Sequence, residues 1–202
     1  MTKQQWDKKL NIDTVGRDAS NADEIHYPYE PTPYSVLERL AETNYINSNN
    51  RIVDYGCGKG RVGFFLNYKL GCQVTGIEYD SRICGQALQN LDRYGTKQNI
   101  EFVCMDAGEY QVKHSDCFYF FNPFSVKVLQ TVIGQIIQSY YENPRTMRFF
   151  FYYPSDEYVA YLMTAAELDF VDEIDCRDLF DGTDERERIL IFEIADFGFD
   201  VK

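Results

Sequence analysis

No apolar run in this 202-residue chain approaches the roughly 20 residues that a membrane-crossing helix needs, so no membrane span is expected. The N-terminus, MTKQQWDKKLNID, lacks the apolar core of a signal peptide, so secretion is not expected either. Histidine is scarce, at two residues, and the six cysteines (57, 72, 84, 104, 117, 176) form no C-x-x-C pair. That combination excludes the usual structural zinc patterns, so no metal site is expected. Scattered cysteines of this kind fit reduced thiols in a cytoplasmic protein. There is no basic excess: the net charge is −12. Residues 1–153 are almost balanced, with 16 Lys/Arg against 17 Asp/Glu, whereas residues 154–202 hold 4 against 15. Phosphate backbones are gripped by Lys and Arg, so the C-terminal quarter would repel nucleic acid.

What the chain has in abundance is aromatic residues, 16 Tyr and 15 Phe against one Trp, within 45% hydrophobic residues. Such a composition builds a folded core of one domain. Residues 1–26 are polar and weakly periodic and read as an N-terminal arm. Val36, Leu37 and Leu40 share one face of a helix expected over about 33–43, with Thr32 as its cap and Pro33 in its first turn. Thereafter strands and helices alternate. Strands are expected at 51–55, 72–79, 99–105, 116–122, 146–154, 169–176 and 188–197, and helices at 61–70, 81–95, 126–141 and 156–167.

FYFF (118–121) and FFFYY (149–153) do not alternate, as expected of strands buried on both faces. The loop DGTDERE (181–187) is too short for a crossover helix, so the last two strands should pair antiparallel. The pattern therefore predicts an α/β fold: a doubly wound, mostly parallel seven-stranded sheet with an antiparallel C-terminal hairpin and helices on both faces. Residues 1–45 would form an arm and helix on the substrate side, and residues 46–202 the ligand-binding domain.

Ligands in such sheets bind at the carboxyl ends of the strands. The first strand runs into VDYGCGKG (53–60), where Gly56, Gly58 and Gly60 allow a tight turn and close approach of backbone to ligand. A dinucleotide fingerprint would need a third glycine one residue later, where Arg61 stands. Asp54 would repel a pyrophosphate and suits a ligand with a positive end. Glu78 ends the second strand, where a carboxylate can accept from ribose hydroxyls, and Asp106 ends the third.

VDYGCGKG, GIEYD (76–80) and CMDA (104–107) together resemble the class I, Rossmann-like S-adenosylmethionine-dependent methyltransferases, over about residues 46–197. The resemblance implies S-adenosyl-L-methionine as cofactor. It implies that Gly56, Cys57, Gly58 and Gly60 wrap its methionine part and ribose, with Asp54 steering the amino end. It further implies that Glu78 holds the ribose diol, Tyr79 packs on adenine and Asp106 takes the adenine amino group. FFNPFS (120–125) resembles the Asn-Pro-Pro-aromatic motif of methyltransferases acting on amino or amide nitrogens, with one proline missing, and more thinly the Asn-Asn-Phe loop of non-SET histone-lysine methyltransferases. By that resemblance the Asn122 side-chain oxygen and the Pro123 carbonyl would accept from the target NH₂, and Phe124 would stack on a planar substrate.

HYPYEPTPY (26–34) resembles the Tyr/Phe-x-Thr-Pro turn found ahead of nucleic-acid nitrogen methyltransferase domains, which makes Tyr29, Glu30 and Thr32 candidate substrate residues. Tyr27, Tyr29 and Tyr34 either line a substrate pocket or cover the sheet. His26 and His114 are too isolated to support a base or a ligand. The expected activity is methyl transfer to an amino or amide nitrogen of a small molecule, a protein side chain or a nucleic acid. The alternatives are cofactor binding without catalysis and transfer to an oxygen of a small molecule. A nicotinamide or flavin oxidoreductase is disfavoured by the glycine spacing and by Asp54.

Overall fold

A computed structural model describes residues 3–95 and 99–195. Seven strands form a single sheet: β1 (Arg51–Tyr55), β2 (Gln73–Glu78), β3 (Ile100–Cys104), β4 (Cys117–Phe120), β5 (Arg148–Tyr152), β6 (Leu168–Asp175) and β7 (Arg188–Ile194). Their order is β3-β2-β1-β4-β5-β7-β6. The first five strands pair parallel, and β7 lies antiparallel between β5 and β6. The doubly wound sheet and its terminal hairpin are as the sequence implies. Strand order reverses between β1 and β4, which opens a crevice above their carboxyl ends.

Local chemistry explains the boundaries. Helix α3 (Arg61–Leu70) ends on Gly71 in the left-handed conformation. Helix α4 (Ser81–Tyr94) begins where the Asp80 carboxylate accepts from the backbone N–H groups of Arg82 and Ile83. β4 is buried along its whole length and β5 beyond its first residue, so their phenylalanines form the cores on both faces of the sheet. One core packs β-strand side chains against α2 (Tyr34–Glu42), α3 and α4. The other packs them against α5 (Val126–Glu142) and α6 (Asp156–Leu162). Helix α6 stops short of the expected residue 167: its end tightens as the Thr164 and Ala165 N–H groups both donate to the Tyr161 carbonyl. Residues 196 and 197, assigned to the last strand from sequence, lie outside the described residues.

Three expectations need correction. Part of the arm is helical and packed: α1 (Lys3–Leu10) buries Trp6 and Leu10, with Trp6 edge-on to Phe65 at 4.9 Å. Spaced lysines around two apolar residues hid that helix. Thr32 does not cap α2, whose first turn has no side-chain cap; its hydroxyl pairs with the Tyr119 hydroxyl at 3.2 Å instead. Finally, Cys84 and Cys104 form a disulfide, so the cysteines are not all thiols. Packing of α4 on the β3 end brings their Cα atoms to 5.7 Å, within bridging range.

Candidate functional site

A cavity of about 690 Å³ opens above the carboxyl ends of β1, β2 and β4, and the arm roofs it. That volume suits a cofactor-sized ligand with room to spare. Asp54 stands at its floor, 3% exposed, and its Oδ2 has no partner. Burial, with the charge of Glu78 adding to it, pushes the Asp54 carboxyl up to about 8. A buried, unpaired carboxylate oxygen at a cavity floor is the acceptor that a ligand ammonium requires.

The glycine loop packs tightly. Gly58 has φ +55° and Gly56 has φ +71°. A Cβ on Gly58 would come within 2.2 Å of the Tyr29 ring, and one on Gly56 within 2.2 Å of the Pro123 Cβ. The loop N–H groups are spoken for: Gly56 and Cys57 donate to the Ile77 carbonyl, and Gly60 to the Cys57 carbonyl. Gly58 donates to Glu78 Oε2 at 2.9 Å. A pyrophosphate would find none of these four donors free, which weighs against the dinucleotide reading on geometry as well as spacing. The other Glu78 oxygen accepts from the Asp80 N–H at 2.9 Å, fixing the carboxylate while each oxygen keeps a lone pair for a hydroxyl. The Cys57 thiol is buried, and burial raises its pKa, so it contributes through its backbone and packing.

At the far end, Tyr79 is half exposed, and the His26 ring lies on it at 3.8 Å with planes 5° apart. His26 Nε2 is 3.8 Å from Asp106 Oδ2, while Asp106 Oδ1 accepts from the Gly108 N–H. His26 thus stands between the two residues expected to hold an adenine. Its backbone forms a bridge to Phe124, flanked by the Tyr27 N–H to the Pro123 carbonyl and the Ser125 N–H to the Ile25 carbonyl. The arm is held at its other end by Arg82 to Asp18 and by the Asn21 amide to Asp80. Sequence gave His26 no partner, because nothing local joins it to Tyr79.

Asn122 leaves β4 with φ +40°, a conformation that Asn tolerates. Its amide donates to the Tyr153 carbonyl at 2.5 Å and its oxygen accepts from the Ser155 N–H at 3.1 Å. Tyr153 also has positive φ, +51°, so the ends of β4 and β5 are two unusual backbone turns tied together. Phe124 is buried, edge-on to Phe120, and its carbonyl accepts from the Tyr158 hydroxyl. Among the candidate substrate residues, Tyr29 covers Gly58 and donates to the Thr14 carbonyl, Glu30 is exposed beside Arg17, and Thr32 is buried; all three line the cavity. Tyr34 instead covers the sheet, bonded to buried Asp7.

Arg61, the residue that breaks the dinucleotide glycine pattern, is 2% exposed. Its guanidinium donates to the Thr14 hydroxyl and to the Thr14 and Thr32 carbonyls, stands 3.8 Å from Asp7 and lies over the Tyr34 ring. One side chain therefore ties Thr14 and Thr32, on either side of the segment that roofs the cavity, to the start of α3. The sequence marked it only as a missing glycine.

Comparison with known proteins agrees with this geometry. Residues 52–141, from β1 through nearly all of α5, match the family described as methyltransferase domain. A protein-lysine N-methyltransferase of Saccharolobus islandicus is 30% identical over 79 residues, 39% of this chain and 49% of that protein. A tRNA1(Val) (adenine(37)-N6)-methyltransferase of Bacteroides fragilis is 32% identical over 74 residues, 37% of this chain and 31% of that protein. The similarity thus spans half or less of the length of these relatives. A solved structure of a TehB-like SAM-dependent methyltransferase from Corynebacterium glutamicum superposes with a TM-score of 0.57 at 17% identity, covering 96% of this chain and 95% of that one.

Proposed function

We propose that the chain is a methyltransferase of the class I, Rossmann-like type and that it transfers a methyl group from S-adenosylmethionine to a nitrogen acceptor, a reading supported by the methyltransferase-domain match over residues 52–141. The unpaired, buried oxygen of Asp54 at the head of a glycine loop carries the cofactor half of this reading. The residues fit the cofactor: Asp54 meets its ammonium, Glu78 its ribose diol, and Tyr79 with Asp106 its adenine. When bound, S-adenosylmethionine supplies an electrophilic methyl group on a sulfonium. The chain itself contributes positioning and exclusion of water rather than acid–base chemistry. Glu78, and Asp54 once a ligand ammonium draws off its proton, offer negative charge to a cationic ligand, the arm roofs the cavity, and Asn122 fixes the β4–β5 edge next to β1. The nitrogen target draws support from the Asn-Pro-Phe sequence and from the names of the two partial relatives.

The test is transfer of labelled methyl into fractionated RNA, DNA, protein and metabolites of a lysate. Label on nitrogen supports the reading, and label on oxygen or carbon contradicts the choice of target atom. A second reading, cofactor binding without transfer, is favoured by one observation. The Asn122 oxygen and the Pro123 carbonyl, the expected acceptors for a target NH₂, accept instead from Ser155 and Tyr27. Cofactor binding with no labelled product in any fraction would decide for it.

A further inference from the structure

The cavity is larger than the cofactor-binding residues account for, and its remaining wall has its own chemistry. Beyond Tyr119 it is lined by Phe121, Tyr152, Tyr153, Phe180, Glu30 and Glu187. Phe121 leans on Tyr152 at 4.7 Å and meets Tyr153 edge-on at 6.2 Å, so three rings form one apolar corner. Glu187 is half-buried there, and its Oε2 accepts from the Tyr152 hydroxyl at 2.7 Å, which aims the carboxylate at the rings. Burial raises the Glu187 carboxyl, and the charges of Asp184 and Glu30 add to it while the Tyr152 hydroxyl and Arg186 act the other way. Arg186 lies over the Tyr153 ring at 4.1 Å, donates to the Tyr153 and Pro154 carbonyls and offsets part of the charge at Glu187; the arginines that line the cavity add nothing to it. Arg61 is buried in its bonds to Thr14 and Thr32, and Arg17 sits outside, beside Glu30.

The groups that would grip a planar NH₂ are used otherwise. Asn122 is committed to the β5 end, the Pro123 carbonyl to Tyr27, and Phe124 to the core. A nucleobase or carboxamide would therefore share the β4-end acceptors with Ser155 and Tyr27 and find no plate in buried Phe124, and phosphate would meet Glu30 and Glu187. An alkylammonium fits instead: its methylene stalk packs on the rings and its charge faces both carboxylates and the Phe121 and Tyr152 rings, Tyr153 already carrying Arg186.

The geometry points to a primary alkylamine, held by Glu187 and the Phe121–Tyr152–Tyr153 corner, as the methyl acceptor. This rests on the methyltransferase reading above. The bound ammonium releases one proton to solvent. Its nitrogen lone pair then forms the new N–C bond, while the methyl carbon–sulfur bond breaks and its electron pair stays on sulfur as a neutral thioether. The same chemistry is presented by a lysine side chain in a protein and by a free diamine.

The test is calorimetry of the full chain, with S-adenosylhomocysteine present, against Nα-acetyl-lysine methylamide, putrescine, Nα-acetyl-norleucine methylamide and adenosine. The two amines should bind, and the neutral norleucine and adenosine probes should bind at least tenfold more weakly. Preference for the lysine probe over putrescine points to a protein source, and the reverse to a free amine. Glu187→Gln, which can still accept from Tyr152, should weaken amine binding about tenfold, and Glu187→Lys should abolish it. S-adenosylhomocysteine should bind both variants as it binds the parent, which also shows that they fold. Amines binding no better than norleucine, or adenosine binding best, overturns the inference while the methyltransferase reading stands. Failure of S-adenosylhomocysteine to bind the parent chain overturns both.

Discussion

The His26 ring lies flat on the Tyr79 ring, 3.8 Å away, with its Nε2 turned towards Asp106. In the proposed site an adenine needs the same face and the same carboxylate. Cofactor binding then requires the histidine to leave, and His26→Ala should tighten S-adenosylhomocysteine binding. A ring stack is worth about 0.5–1.5 kcal/mol, so the dissociation constant should fall by about two- to tenfold in calorimetry. Weaker binding by the variant would mean that His26 cradles the adenine rather than standing in its place.

Asp54 gives the site a pH dependence of defined sign. Its carboxyl, at about 8 in the fold, is held above its ordinary value of 3.8, so the free protein favours its protonated form. The stability this contributes is fully present below about 4 and is lost as pH rises through about 8. A ligand ammonium favours the ionised form, so binding releases a proton, and affinity should rise by up to about tenfold per pH unit between roughly pH 6 and 8. Calorimetry in buffers of different ionisation enthalpy reads the released proton. Asp54→Asn should flatten the pH profile of binding, and an unchanged profile would remove Asp54 from the site.

Arg61 should matter more to the arm than to the cofactor. Arg61→Met leaves Asp7 buried without its cation and removes three hydrogen bonds to the arm. Loss of one partner from a buried pair costs about 3–5 kcal/mol. Denaturant unfolding should register that loss, and limited proteolysis should then cut first within residues 13–33. Resistance of that segment in the variant would show that the arm is held by other contacts.

Asn122 is expected to be structural before it is catalytic. Asn122→Gly keeps the positive φ but removes the amide that ties Tyr153 to Ser155. Losing those bonds should cost about 1–3 kcal/mol in denaturant unfolding. A stability unchanged within error would free the side chain for a substrate role.

How far the sequence could be read follows from the reach of each interaction. Asp54, Glu78 and Asp106 lie within two residues of the carboxyl ends of β1, β2 and β3, so period and punctuation alone placed them along one sheet edge. FYFF and FFFYY declared double burial by failing to alternate. Arg61 and His26 are different, because their partners lie far along the chain and no local pattern ties Arg61 to Asp7 or His26 to Tyr79. The Cys84–Cys104 bond likewise depends on α4 docking against β3, which spacing does not encode. Asn122 was legible as a residue delivered by β4, but its hydrogen-bond partners on the β5 side were not.

The most direct measurement is calorimetric titration of the full chain with S-adenosylmethionine and with S-adenosylhomocysteine. Both should bind at one site per chain, with Asp54→Asn weakening both. Failure of folded protein to bind either would contradict the assignment of the cavity to the cofactor, and with it the proposed methyl transfer.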